Sequence, residues 1–183
     1  MITISIPSKA AIFEHWSEWL DNNFFEWGEP SCWACRWGFN GKYDLKNGKA
    51  SWKEIKNNWN RVPLQKCHIV PKAIGGLDSP DNLFLLCKEC HDISPDSASK
   101  PAFLIWVSKQ NYSQRLDDTI RIELKNFGFD RDDYERLREV VNSKDFSKWL
   151  DKNTGSHFNQ RGLGNKYKVS TLIAGLWSFL NET

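Results

Sequence analysis

An α+β protein is expected from three observations. Two short segments, Leu64–Val70 and the apolar Leu83–Leu86, have strand character, and several longer stretches show helical periodicity. Two Cys-x-x-Cys pairs, Cys32/Cys35 and Cys87/Cys90, bracket both segments. With 183 residues, 40% hydrophobic and 26% charged, the chain can build one sizeable core, or a small core wrapped by accessory elements, and disorder is excluded as the default. No run of about 18 apolar residues occurs, so no membrane span is expected. The start Met1-Ile-Thr-Ile-Ser-Ile-Pro7 lacks both a basic region and a long apolar region, so it does not read as a secretory leader. A cytoplasmic setting is expected, where thiols stay reduced and an odd cysteine count with two paired spacings reads as metal binding rather than as a disulfide framework.

The elements follow in order. After a short extended start ending at Pro7, Ser8 or Lys9 opens a helix with Ile12, Trp16, Trp19 and Leu20 on one face, stopping near Asn22-Asn23. Gly28 to Cys35 is a turn into the first cysteine pair, and residues 39–49 form a loop with hairpin potential. Ser51 to Asn60 reads as helix, Leu64 to Val70 as a strand, 71–82 as a glycine-containing loop, and Leu83 to Leu86 as a second strand. A helix after Cys90 is limited by Pro95 to a turn or two and restarts near Pro101, which suits a first helical turn. The remainder is helical: Tyr112–Phe127, then Asp132–Leu150 with a weak point at Asn142-Ser143, then Ser170–Leu180. The connection Gly155–Lys168 is rich in glycine and base; it reads either as a phosphate-contacting loop or as an ordinary connection.

Net charge is only +2, but it is unevenly spread: Arg36 to Gly76 holds nine Lys/Arg against two acids, and Asp117 to Glu139 holds eight acids against five bases. The basic stretch reads as a footprint for a polyanion or, equally, as a solvated lysine-rich surface. Trp37, Tyr43, Trp52 and Trp59 within it could stack on bases, but aromatics in a chain with ten tryptophans more often fill a core.

The cysteine pairs carry the strongest single inference. Thiolates are soft ligands that suit zinc, and two-residue spacing lets both sulfurs of a pair face one ion. Two such pairs close a tetrahedral site with no open position, so a zinc held by Cys32, Cys35, Cys87 and Cys90 is structural and ties together turns separated by 51 intervening residues.

The stretch from Leu64 to His91 has His68-Ile-Val-Pro71, Gly75-Gly76, and Asn82-Leu-Phe-Leu-Leu-Cys87-Lys-Glu-Cys90-His91 in order. It resembles the HNH endonucleases, the zinc-knuckle branch of the ββα-metal nucleases, over about a third of the chain, Cys32 to Asp92. The resemblance implies a catalytic role for His68, Asn82 and His91. His68 would be the general base that takes a proton from water, Asn82 would pin the loop and orient His68, and His91 would hold a catalytic divalent cation, Mg²⁺ or another. Taken alone, each has a bland reading: His68 as a structural histidine, Asn82 as a turn residue, His91 as a zinc ligand in place of a cysteine.

The sequence departs from the family pattern at one position. The residue before the base is commonly Asp or His and supplies a metal ligand, whereas here it is Cys67, a poor match for Mg²⁺ though acceptable to softer ions. Either Asp81 or Asp92 joins His91, or Cys67 is merely a strand residue, or catalysis has been lost.

Together these readings imply a small ββα-metal core with a four-cysteine zinc site, flanked by an N-terminal helix and a helical C-terminal region. One domain is expected over 1–183, with the zinc-braced core at 28–98 and the helical accessory region at 99–183. The expected activity is metal-dependent cleavage of double-stranded DNA by a restriction-type, phage or defence nuclease. The alternative is a catalytically inactive zinc-dependent DNA-binding module. Lys66, Lys72, Arg161, Lys166 and Lys168 are the expected phosphate contacts, and concerted cutting of both strands calls for a homodimer.

Overall fold

The computed structural model describes residues 6–39, 41–155 and 167–182. The chain divides into two compact units, Met1–Tyr112 and Ser113–Thr183. The first unit contains helices α1 (Lys9–His15), α2 (Ser17–Asn22) and α3 (Trp52–Arg61), strands β1 (Gln65–His68) and β2 (Leu83–Leu86), and helices α4 (Lys88–Asp92) and α5 (Lys100–Ser108).

Ser8 caps α1 by accepting from the Ala11 N–H, as the sequence predicts. The expected single helix is instead broken at Trp16, where the backbone leaves helical geometry (φ −94°, ψ 7°). A tertiary demand accounts for this: the Trp16 indole N–H reaches the carbonyls of Pro80 and Leu83, each at 2.9 Å. Helix α3 begins with a capping box in which Ser51 and Glu54 satisfy each other's backbone N–H groups.

Strands β1 and β2 pair antiparallel, with Gln65 opposite Leu86, Cys67 opposite Phe84 and His68 opposite Leu83. β1 is shorter than the expected Leu64–Val70, and β2 matches the expected Leu83–Leu86. All four β2 residues are fully buried, so both of its faces are covered. Phe84 is ringed edge-on by Trp16, Trp19, Trp33 and Phe103, with centroids 4.9–5.6 Å apart. Phe13 stacks on Trp59 at 4.7 Å. Trp37, Tyr43 and Trp59 of the basic stretch pack in or against this core, while Trp52 lies over Phe13 and donates to Glu14. Trp37, Tyr43 and Trp59 are thus packing groups, whereas Trp52 stays exposed at the surface.

Two expectations are corrected. The helix placed after Cys90 starts before it, at Lys88 with Cys87 as N-cap, so that both cysteines of the second pair lie at its first turn. Among the described residues of 39–49 no hairpin forms; the nearby pairing is a single bridge, Ser31 to Gly38, around the first cysteine pair. Helix α5 starts as expected, capped by Ser99 with Pro101 in its first turn, and its Phe103 and Val107 enter the core of the first unit.

The second unit carries the rest of α6 (Tyr112–Asn126) and α7 (Tyr134–Val141), α8 (Lys144–Asn153) and α9 (Val169–Asn181). The break expected at Asn142-Ser143 is present, and Ser143 caps α8. Its core is Leu124, Leu137, Phe146, Leu150, Ile173 and Leu176.

Candidate functional site

Cys32, Cys35, Cys87 and Cys90 are all buried, and their sulfurs lie within 4.8 Å of one another. The first pair is shaped by a tight turn. Arg36 takes a left-handed conformation (φ 66°), its N–H returns to the Cys32 carbonyl at 3.0 Å, and Cys32 N–H bonds the Trp37 carbonyl at 2.9 Å. The second pair spans the first turn of α4, where His91 N–H bonds the Cys87 carbonyl. The Cys35 and Cys87 sulfurs are 3.8 Å apart. A tetrahedral zinc with Zn–S bonds of about 2.3 Å requires roughly that edge, so the four residues fit such an ion. The Cys87 N–H points at Cys32 Sγ, 3.3 Å away, a contact that suits a thiolate. Burial pushes the Cys32 thiol up, whereas the hydrogen bond with Cys32 draws Cys35 down to about 7.

His68 ends β1 with its side chain one-fifth exposed. Its Nε2 lies 2.8 Å from Asp78 Oδ1, and Lys72 Nζ holds the other oxygen of that carboxylate at 2.5 Å. Lys72 first, and His68 second, keep the Asp78 carboxyl below its ordinary pKa. Lys72 is thus engaged within the protein. Asp78 is absent from the sequence-derived site; an acid two residues beyond the glycine pair is a signal that could have marked it, but only knowledge of where the loop returns makes it a partner of His68.

Asn82 is 4% exposed and fastens that loop. Its Oδ1 accepts from Val70 N–H, and its Nδ2 donates to the carbonyls of Val70 and Leu77, all at 3.0 Å. Its backbone carbonyl also accepts from Ile69 N–H at 2.8 Å. Gly76 lies so close to this knot that a Cβ there would stand 1.7 Å from the Val70 oxygen. Asn82 therefore sets the path of the segment that brings Asp78 to His68.

His91 stands near the end of α4 with its side chain 39% exposed, and its Nδ1 is 3.9 Å from Asp92 Oδ1. The two carboxylates expected to join it are paired with lysines. Asp92 pairs with Lys88 at 2.5 Å, and Asp81 pairs with Lys100 at 3.0 Å. Cys67 is buried across from Phe84 with its sulfur 3.3 Å from Ser94 Oγ, and that hydroxyl donates to the His91 carbonyl. Burial raises the Cys67 thiol above its ordinary value. Among the described residues, the four-cysteine cluster is the one place where three or more potential ligands converge. His91, Cys67, Asp81 and Asp92 form no second cluster of that kind, so the described side chains do not by themselves build a closed cage for a catalytic cation.

Of the expected phosphate contacts, Lys66 is partly buried in β1 and shares a strand face with His68. Lys168 is exposed at the N-cap of α9 in the second unit. Arg161 and Lys166 lie outside the described residues. No described helix is long and apolar enough to cross a membrane.

Residues 52–95 match the family model described as HNH endonuclease. No curated protein and no solved structure matches the chain. The matched span contains His68, Asn82, His91 and the second cysteine pair, while Cys32 and Cys35 precede it and join it through the fold. Over residues 52–95, the chain is thus similar to the HNH endonuclease family.

Proposed function

We propose that the protein is a metal-dependent DNA endonuclease that hydrolyses phosphodiester bonds. The observation that carries this reading is the state of His68: a partly exposed imidazole with Nε2 on a carboxylate and, among the described residues, no hydrogen-bond partner on Nδ1. An imidazole so held can take a proton from an attacking water. In this reading Asn82 keeps the loop and the base in place, and Cys32, Cys35, Cys87 and Cys90 hold a structural zinc. His91 would hold the catalytic cation, which when bound supplies Lewis-acid stabilisation of charge on the phosphate and the leaving oxygen. Lys66, Lys168, Arg161 and Lys166 are assigned to phosphate contacts, and two copies of the chain would cut both strands.

A second reading, a zinc-dependent DNA-binding module without catalysis, is favoured by the engagement of Asp81 and Asp92 with lysines. Plasmid incubated with Mg²⁺, Mn²⁺, Co²⁺ or Ni²⁺ separates the two. The nuclease nicks or linearises it with at least one metal, and His68→Ala loses about 100-fold or more in rate. Absence of cleavage with every metal, or an equally active alanine variant, ends the nuclease reading. Salt-dependent DNA binding that persists without cleavage then supports the second.

A further inference from the structure

We infer that Asp78 is a positioning residue: its carboxylate fixes the proton of His68 on Nε2 and so leaves the Nδ1 lone pair as the basic nitrogen. An ionised carboxylate accepts hydrogen bonds and cannot donate them. At 2.8 Å from Asp78 Oδ1, Nε2 must therefore carry the hydrogen. The charge of the carboxylate is secured from its other side, where Lys72 Nζ sits 2.5 Å from Oδ2. Asp78 itself is held in place by the loop that Asn82 fastens at Leu77 and Val70. The three side chains form a directional chain, ammonium to carboxylate to imidazole, with each oxygen of Asp78 assigned to one donor. The catalytic consequence rests on the nuclease reading, whereas the assignment of the proton does not.

Lys72 also determines what an amide at this position would do. An ammonium only donates, so in Asp78→Asn the amide oxygen must face Lys72 and the NH₂ must face His68. Nε2 then has to accept, and the ring proton moves to Nδ1, the nitrogen that should be bare. The near-isosteric asparagine is thus expected to be at least as damaging as alanine, the reverse of what a space-filling role predicts.

The test uses the full chain labelled with ¹⁵N, with the His68 ring signals assigned by their absence in His68→Gln and recorded where the ring is neutral. Wild type should show the Nε2–H tautomer and Asp78→Asn the Nδ1–H tautomer. The double variant Lys72→Met/Asp78→Asn frees the amide to turn over and should return the Nε2–H form. In cleavage, kcat of Asp78→Asn should fall about 100-fold with KM for DNA unchanged, and the double variant should recover about tenfold. An Nδ1–H tautomer in wild type, an unchanged tautomer in Asp78→Asn, or an asparagine variant that cuts as fast as wild type overturns the inference. If wild type cuts no DNA with any metal, the nuclease reading fails while the tautomer spectra still decide the role of Asp78.

Discussion

Asn82 is one of two buried polar side chains among the described residues, and it closes a knot no other side chain can replace. Asn82→Ala would leave the Val70 N–H and the carbonyls of Val70 and Leu77 without their partner. Unmet buried groups of this kind cost about 1–3 kcal/mol each, and partial relaxation toward water should bring the total to about 2–4 kcal/mol. Urea unfolding checks this, and a loss under about 1 kcal/mol would mean the knot is not structural. Asp78 gives a pH-dependent counterpart. Its folded pKa is lowered from 3.8, so its stabilisation is present above that value and is lost as pH falls through the lower folded one. The stability gap between wild type and Asp78→Ala should therefore be wider at pH 5 than at pH 3, and a gap that widens on acidification would contradict the pairing. The two cysteine pairs were legible because each spacing is local in the chain, while His68, Asn82 and His91 were singled out through the resemblance to a family pattern. Asp78 was not, since its partner is chosen by a loop path that Gly75, Gly76 and Asn82 set together. For the same reason Lys72, expected on phosphate, is found on Asp78.

The loop from Val70 to Asn82 uses its two glycines for different physical reasons. Gly75 has φ 95° and open space around a notional Cβ, whereas a Cβ on Gly76 would collide with the Val70 carbonyl and with Asn82 Nδ2. Gly75→Ala should cost about 1 kcal/mol for the left-handed backbone alone. Gly76→Ala has to displace backbone and should cost about 3 kcal/mol or more. Thermal melts of the two variants check the ranking, and equal shifts would refute it. Elements marked by local chemistry were readable in sequence. β2 is an apolar run between Asn82 and Cys87, α3 opens on a Ser51/Glu54 capping box, and the α7–α8 break has Ser143 to cap the next helix. Elements decided by distant partners were not. The break between α1 and α2 interrupts an apolar period that predicts continuity, and it follows from the Trp16 indole reaching two carbonyls more than sixty residues away. The start of α4 at Lys88 is likewise set by the convergence of Cys87 and Cys90 on the sulfurs of the first pair.

All five cysteines and eight of the ten tryptophans belong to Met1–Tyr112, while Ser113–Thr183 has its own apolar core and no cysteine. Metal removal should therefore act on the two units differently. In the first unit the four clustered cysteines are themselves core residues, so stripping an ion from among them places up to four buried thiolates or thiols in contact without compensation. Apparent binding energies of structural zinc in small peptides are about 10–16 kcal/mol, comparable to the whole stability of a typical domain at about 5–15 kcal/mol. A chelator added to the full chain is expected to abolish most of the near-ultraviolet tryptophan dichroism. The far-ultraviolet helical signal should fall only in part, because α6 to α9 pack around a core of their own that contains no cysteine. A second, metal-independent melting transition should remain on heating, and Cys32→Ser should reproduce the chelated state. If elemental analysis shows the metal gone while the tryptophan signal is unchanged, the cluster is not a structural brace. If all helical signal disappears with the metal, the second unit does not hold its fold without the first.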